Sequence, residues 1–362
     1  MGLMDAAYTY SALQKKYGNF VIPAAKLKIG GSDVLGVTGI TVESISVVLS
    51  LEAAGSASFS IGTQYDYKNS SFDVDLTDKV VLGKTVTVEL GYGSSTSTVF
   101  KGYIASIGIA FDIESGLVYS IVAMDARRLM MTDNKRIRQY KEVNHYSDVV
   151  TEVLKRYKSL CTAVIDDTTE DLKGGPVSQN SSDYDFIQNK IIKEGKADRE
   201  FFIVADKVYF RTPKGSTTAV VKLGVAEGLK SFHRNVDYLN QKFQVIGKDE
   251  TSNAILTGEA TAKSSGNISS AVSAEGIVQV PAPDCHVQGE LKARAEKMAK
   301  EAKGEKYQAE AVCVGLPELV PGRFLGIEKV DSSVNGNYYV TEIRHSYSRG
   351  GFTTSIKMEG TD

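Results

Sequence analysis

The chain has 362 residues and a mass of 39.2 kDa, with 42% hydrophobic and 24% charged residues and a formal net charge of -2. This composition is that of a soluble globular protein, long enough for two or three domains and a sizeable core. The near-neutral charge gives no reason to expect a polyanionic partner such as DNA.

Cysteine usage and the lack of long apolar runs indicate the cellular compartment in which the chain folds. Cys161, Cys285 and Cys313 lie far apart and form no CxxC pair, so the sequence predicts neither a disulfide framework nor a cysteine metal site. A reducing cytosol during folding is the simpler interpretation. The N-terminal stretch lacks the pattern of a secretory signal, and no run of about 18 apolar residues predicts a membrane span.

Residues 21–130 have the pattern of one strand after another. Ile45 and Val47 alternate with polar neighbours, and Ile109 and Phe111 belong to the longest alternating set, which begins at Tyr103. Period-two alternation bounded by Gly, Asn, Asp and Ser predicts half-buried antiparallel strands. Several such strands in sequence favour a small barrel or sandwich.

Helical spacing begins after residue 130. The segment from Ser147 carries apolar residues on one helical face. A second, short helix is predicted from Ser182, which with Asp185 resembles a capping box. The apolar stripe of this helix consists of Tyr184, Ile187 and Ile191. Phe186 lies roughly opposite that stripe and faces either a second partner or solvent.

The second half of the chain returns to β-structure with a helix inserted. A hairpin is predicted with its turn at 205–207, and Asn335-Gly336 is a strong signal for another. Residues 250–283 are rich in small residues and are predicted as a long loop or extended arm. A helix follows over 287–303. Its narrow apolar stripe consists of Leu291, Ala295, Met298 and Ala302.

The predicted fold class is mainly β with α+β insertions, built as two β-barrels joined by α/β elements. The predicted division of the chain is an N-terminal segment (1–20), a first β-barrel (21–130), an α/β connecting domain (131–200), a second β-barrel (201–249 and 305–362) and an insertion of loop or arm plus helix (250–304).

The motifs that would indicate a small-molecule site are incomplete. The stretch around Lys84 resembles the end of a phosphate loop, but Asp78 stands where that motif needs glycine. Asp73, Asp75 and Asp78 lack the further ligands of a calcium loop. The histidines have no His or Cys ligand three or four residues away: His145, His233, His286 and His345. The sequence therefore predicts no catalytic, cofactor-binding or metal-binding residues, and His345 is interpreted as structural.

One acidic cluster leaves an alternative function open. Asp166, Asp167, Glu170 and Asp171 lie close together in a polar loop. Paired carboxylates can hydrolyse glycosidic bonds, so a hydrolase of cell-wall sugar or peptide is the alternative hypothesis. A β-rich carbohydrate-binding module is a third, although such modules normally need exposed aromatic platforms and the chain has no tryptophan.

Three stretches together resemble the baseplate hub family of contractile phage tails, also called late control protein D, and the hub part of VgrG proteins. They are VFKGYIASIGIAFD at 99–112, SSDYDFIQNKIIKEG at 181–195, and VPGRFLGIEKVDSSVNGNYYVTEIRHSY at 320–347. They occur in the family's order. The resemblance implies a hub-like fold of two barrels and a trimer with near-sixfold symmetry on one side.

The resemblance also implies the role and the partners. The chain would be a structural symmetry adaptor, not an enzyme, between a sixfold tail tube and a threefold spike, located in a virion or phage-tail-like particle and assembled in the bacterial cytoplasm. The expected partners are two further copies, the tail tube protein, a separate spike or tip protein, other baseplate proteins and a tape measure protein. The candidate interface residues are Tyr184, Phe186, Ile187, Ile191, Leu291, Ala295, Met298 and Ala302.

Overall fold

The computed structural model describes residues 4, 6–113, 116–132, 137–141, 143–168, 177–194, 199–214, 217–235, 237–264, 269, 271–272, 274–283, 285–306 and 308–360. The predicted fold class is confirmed, because strands dominate and the helices are few. The described strands are β1 (Pro23–Ile29), β2 (Ser32–Asp33), β3 (Ile40–Ser50), β4 (Ser56–Thr63), β5 (Tyr65–Asp66), β6 (Ser71–Phe72), β7 (Thr85–Tyr92), β8 (Ser95–Asp112), β9 (Gly116–Met124), β10 (Arg138–Tyr140), β11 (Thr162–Ile165), β12 (Val177–Gln179), β13 (Glu200–Val204), β14 (Lys207–Arg211), β15 (Ala219–Leu223), β16 (Leu229–Arg234), β17 (Asn240–Lys248), β18 (Ile255–Lys263), β19 (Gly276–Pro281), β20 (Gln308–Val314), β21 (Phe324–Ile327), β22 (Gly336–Ser348) and β23 (Gly351–Gly360).

The helices begin at residues that suit helix starts. Thr9 caps the first, accepting a hydrogen bond from the Ala12 N–H, and Ser182 caps the fourth as predicted. The fourth continues as a π-helix over Phe186–Glu194. The described helices are α1 (Tyr10–Lys16), α2 (Ala126–Met130), α3 (Tyr146–Leu154), α4 (Asp183–Asp185) and α5 (Gln288–Lys306), with 3-10 turns at Gly18–Phe20 and Lys155–Tyr157.

Both β-rich regions belong to one sheet of 13 strands. Its main path runs β16-β20-β23-β22-β3-β4-β9-β8-β7-β1-β2, and β21 and β15 branch from β22. The antiparallel pairing of β22 with β3 joins the two regions. One hydrophobic cluster likewise contains side chains of both, including Ile45 and Val88 from the first and Ile343 and Ile356 from the second.

The two regions repeat the same strand order. We call β1, β3, β4, β7, β8 and β9 the N-terminal set, and β15, β16, β20, β21, β22 and β23 the C-terminal set. When the strands of each set are numbered along the chain, both sets read 2-3-6-5-4-1 in space. The pairings agree in direction except the last, which is antiparallel between β1 and β7 and parallel between β15 and β21. Closure of either set into a complete barrel stays a prediction.

The connecting region forms a separate small α/β layer. The predicted hairpin around Ala205 is confirmed, since β13 and β14 pair across a turn in which Ala205 has a φ of 53°. β14 also pairs in parallel with β11. These two strands, which the predicted second barrel includes, therefore share a sheet with a strand of the predicted connecting domain. Side chains of α3 and of the π-helix cover that sheet in a second hydrophobic cluster.

The third layer corrects the prediction for residues 250–283. That stretch contains β18 and β19, which pair on either side of β17, so the prediction of a long loop or extended arm is wrong there. The strands are easy to miss because their inward positions are small, such as Gly258, Ala260 and Ala262. Small side chains let the backbone of α5 lie directly on the sheet. A β-carbon at Gly258 would stand 2.1 Å from the Leu291 carbonyl carbon.

We expect Gly258→Ala to displace α5 from its sheet. Overpacking of this kind costs about 1–3 kcal/mol, because neither backbone can yield without losing hydrogen bonds. Hydrogen exchange of the α5 amides should accelerate, and the thermal unfolding midpoint should fall. Gly289→Ala is the matched control within α5, since a β-carbon there meets nothing within 4 Å. Equal α5 protection in wild type and Gly258→Ala would contradict the packing described.

Candidate assembly surfaces

Three of the predicted interface residues on the connecting helix lie in the chain's own core. Phe186, Ile187 and Ile191 are at most 1% exposed. The ring of Phe186 stacks on Tyr140 with 5.7 Å between centroids, so it faces a neighbour inside the chain. Tyr184 is half-buried and donates a hydrogen bond of 2.7 Å to a backbone carbonyl just beyond β3. The helix therefore fixes the connecting layer against the N-terminal set.

The predicted stripe on α5 also has a partner inside the chain. Leu291 and Ala295 are fully buried against β17 and β18, while Met298 and Ala302 are half-buried beside them. Contact of either helix with another subunit stays a prediction, because a single chain does not test it. Within one chain, these side chains hold the helices against their own sheets.

The pairing of β22 with β3 is the junction between the two sets. Up to Tyr339, β22 pairs with β21, and from Glu342 onward it pairs with β3 on the same side. A register shift between Val340 and Glu342 separates the two parts, which leaves Thr341 as the extra residue of a bulge. One strand thereby serves two neighbours in succession along one edge.

His345 lies at the centre of this junction and is structural, as its position on a strand predicts. It pairs across to Val47 in β3 and to Thr354 in β23, and it is fully buried. The Thr354 hydroxyl is 2.9 Å from His345 Nδ1. Burial lowers the pKa of this imidazole from 6.5 to about 4, because the interior disfavours the charged ring.

The far half of β8 presents apolar side chains to solvent. Ile109 and Phe111 are each 63% exposed, although the period-two pattern predicts that they are half-buried. Phe111 contacts the edge of the Phe72 ring at 6.1 Å, and Tyr65 and Tyr67 extend this aromatic cluster. Exposed apolar patches on a folded protein mark interaction surfaces more often than isolated apolar residues do.

A groove of about 410 Å³ beside the π-helix is lined by Glu200 and Asp185 among others, and both of these carboxylates are hydrogen-bonded within the chain. Glu200 accepts from the Tyr339 hydroxyl and from Arg211, the latter at 3.4 Å. Burial raises the pKa of Glu200 despite these partners. Asp185 accepts from the Ser182 hydroxyl at 2.8 Å. These two carboxylates thus support local structural elements.

The acidic cluster lies on the surface where the structure describes it. Asp166 and Asp167 are exposed, and Asp166 accepts a hydrogen bond of 3.0 Å from the Thr212 N–H. Glu170 and Asp171 fall outside the described residues. Among the residues described, no group of three His, Cys, Asp or Glu side chains could hold a metal ion. None of the described helices is both long and apolar enough to cross a membrane.

Comparison with solved structures identifies the fold as that of phage tail proteins. The 43 kDa tail protein of prophage MuSo2 from Shewanella oneidensis is 13% identical with a TM-score of 0.69, covering 92% of this chain and 97% of the other. A tail protein from Neisseria meningitidis is 11% identical with a TM-score of 0.69, covering 94% and 97%. The resemblance to the hub family predicted from three stretches is thereby confirmed for the fold.

A third similar structure extends the likeness to secretion devices. It is an Escherichia coli protein described as a component of the type VI secretion system with structural similarity to bacteriophage tail proteins. It is 10% identical with a TM-score of 0.59, covering 93% of this chain and 77% of the other. No curated protein sequence matches the chain. The sequence model of the Alg8 N-terminal domain matches residues 21–349, and the chain belongs to that family.

The buried imidazole of His345 predicts acid sensitivity. The unfolded chain binds a proton below about pH 6.5 and the folded chain does so only near pH 4, so this contribution to stability is complete above pH 6.5 and is lost as the pH falls towards 4. Between pH 7 and pH 5 we expect it to remove about 2 kcal/mol from the free energy of unfolding.

The measurement is urea unfolding at both pH values for wild type, His345→Gln and His233→Gln. Only His345→Gln should lose this part of the pH dependence, because His233 is exposed on β16. Comparing each variant with itself cancels any general destabilisation. The same pH dependence in wild type and His345→Gln would contradict the assignment.

Proposed function

We propose that the chain is the structural baseplate hub of a contractile tail or injection particle. The observation that carries the proposal is the repeat of one strand order in two sets joined by a shared sheet. The likeness in fold to tail proteins over more than nine-tenths of the chain supports it.

The repeated sets suit a symmetry adaptor. Three copies of a chain with two similar sets present six similar units, which can meet a sixfold tail tube. The connecting layer and the layer of α5 occur once per chain, so they can meet a threefold spike. A homotrimer of this kind needs a large interface, since obligate interfaces often exceed about 2,000 Å².

The partners follow from that position. They are the tail tube protein, a separate spike or tip protein, other baseplate proteins and a tape measure protein. The particle would be a phage tail, a tail-derived bacteriocin or a related secretion device, assembled in the bacterial cytoplasm. We infer that the chain is a late control protein D and acts without catalysis, because Glu200 and Asp185 in its groove and Asp166 in its loop hydrogen-bond to their own surroundings.

Light scattering of the chain with its spike protein tests the trimer. We expect a complex containing three copies of the chain, because three copies supply the six units. Electron micrographs of the complex with tube protein should show six similar lobes on the tube side. A chain that remains monomeric at high concentration with both partners present, and binds neither, would overturn the proposal.

Incubation with purified cell wall tests the absence of catalysis. We expect no release of sugar or peptide by the wild-type chain, since Asp166 and Asp167 are both exposed, whereas such hydrolysis needs one buried carboxyl group. The matched control is a known muramidase on the same wall. Cleavage by the wild type that disappears in Asp166→Ala or Asp167→Ala would favour the hydrolase instead.

A further inference from the structure

The junction at which β22 pairs with β3 has a counterpart at β8, where no described strand takes the place of β3. β8 and β22 are the fifth strands of their sets, and both change register in the middle. In β8 the shift lies between Ile104 and Ser106, and in β22 it lies between Val340 and Glu342. Both strands pair with the fourth strand of their set only before this bulge.

Backbone hydrogen bonds at the two bulges are the same. The Ile104 N–H donates to Lys84 at 2.9 Å, and its carbonyl accepts from the Gly83 N–H at 2.9 Å. The Val340 N–H donates to the Arg323 carbonyl at 2.8 Å, and the Val340 carbonyl accepts from the Gly322 N–H at 2.8 Å. Gly83 and Gly322 both have a positive φ, 81° and 79°. Residue equivalence between the strands is therefore fixed.

Beyond the bulge the two strands differ in one respect. The later part of β22 is filled on this edge by β3. In the described part of the chain, no strand pairs with the same edge of β8 between Ala105 and Asp112. This open edge contains no proline and no charge before Asp112, the features with which proteins usually protect an edge strand.

β3, the strand that fills this edge of β22, has its own counterpart in β16, and one edge of β16 is unpaired among the described residues. β3 and β16 are the second strands of their sets, and each carries one extra residue at the same place, between Val42 and Ile45 and between Leu229 and Ser231. β3 pairs with β4 and β22, whereas the described residues pair β16 with β20 alone.

Side-chain exposure follows the missing contact. At the filled junction, His345 and Val47 are fully buried. Their equivalents at the open edges are Ile109, which is 63% exposed, and Arg234, which is half-buried. The apolar face of β8 thus lacks the cover that the equivalent face of β22 has.

We propose that β16 of a second copy of this chain pairs antiparallel with the open edge of β8, in the register of the in-chain junction. The register transfers four in-chain pairs, Ser348–Ser44, Tyr347–Ile45, Ser346–Ser46 and His345–Val47. The corresponding pairs between copies are Asp112–Ser231, Phe111–Phe232, Ala110–His233 and Ile109–Arg234.

The described part of each chain offers one open β8 edge and one open β16 edge, so the contact is head-to-tail, and three copies close it into a ring. In the trimer of the proposed function, on which this inference rests, in-chain and between-chain junctions alternate around six sets. The two kinds of junction then share one geometry.

Disulfide trapping tests the register. Ala110→Cys and His233→Cys are placed in separate chains, which are mixed with the spike protein and treated with a mild oxidant. Directly paired positions bring α-carbons to about 4.5–5.5 Å, within the range of about 4.4–6.8 Å that a disulfide spans. We expect a covalent dimer from the mixture and a covalent trimer from the double variant. The native cysteines are buried and should not compete.

Two controls keep the outcome interpretable. Ser346→Cys with Ser46→Cys should form the same bond within one chain, because these residues pair directly. Gly108→Cys with Ser231→Cys is four residues out of register and should give no cross-link. A non-covalent trimer in which Ala110→Cys and His233→Cys do not cross-link would overturn this inference and leave the proposed function standing.

Charge on the open edge gives a second, independent measurement. Phe111→Lys should abolish the trimer seen by light scattering, because the ammonium group would be buried against Phe232 of the neighbouring copy. Ile255→Lys is the matched control, since Ile255 is 77% exposed on a different sheet. An intact trimer in Phe111→Lys, with unchanged circular dichroism, would contradict the proposed surface.

Discussion

The architecture depends on the fact that a β-strand has only two edges for hydrogen bonding. β22 has three neighbours, because its bulge at Thr341 ends pairing with β21 and the later residues turn to β3. Without the bulge, the two sets would not share a sheet. The core shared by both sets and the burial of His345 follow from this one change of partner.

Polar residues lie deep in the molecule in a segment that hydrogen-bonds to the bulged part of β22. The segment joining β20 to β21 is buried throughout and carries Glu318 and Arg323. Glu318 accepts from the Tyr17 hydroxyl at 2.6 Å and from Lys16 at 2.7 Å, and Arg323 donates to the Ala6 carbonyl at 2.9 Å. Burial and the carboxylate raise the pKa of Tyr17. Lys16 and Tyr17 both stabilise the buried charge of Glu318, so these bonds hold α1 against the segment that joins β20 to β21.

Sequence patterns predict what is local in this fold. Alternation locates the strands, capping locates the helix at Ser182, and the fold class follows from both. They miss β18, because its inward residues are too small to read as a buried face. They also cannot predict that β22 meets β3, since register between strands about 300 residues apart is set by packing. On α5, the chain's own sheet packs against the apolar stripe of the predicted interface, which the helical spacing alone does not reveal.

Two short motifs acquire meaning only together. The stretch at Gly83-Lys84 resembles part of a phosphate loop, and the stretch at Gly322-Arg323 belongs to the closing element of the hub resemblance. The structure gives both the same left-handed glycine and the same pair of backbone hydrogen bonds. Few equivalent positions of the two sets carry the same amino acid, because a bulge needs a backbone geometry and not a particular side chain. Two sets of strands can therefore share the same bulges and the same strand order without a recognisable sequence repeat. The bulged strand whose edge is unpaired among the described residues, β8, is where a neighbouring copy can add the most backbone hydrogen bonds.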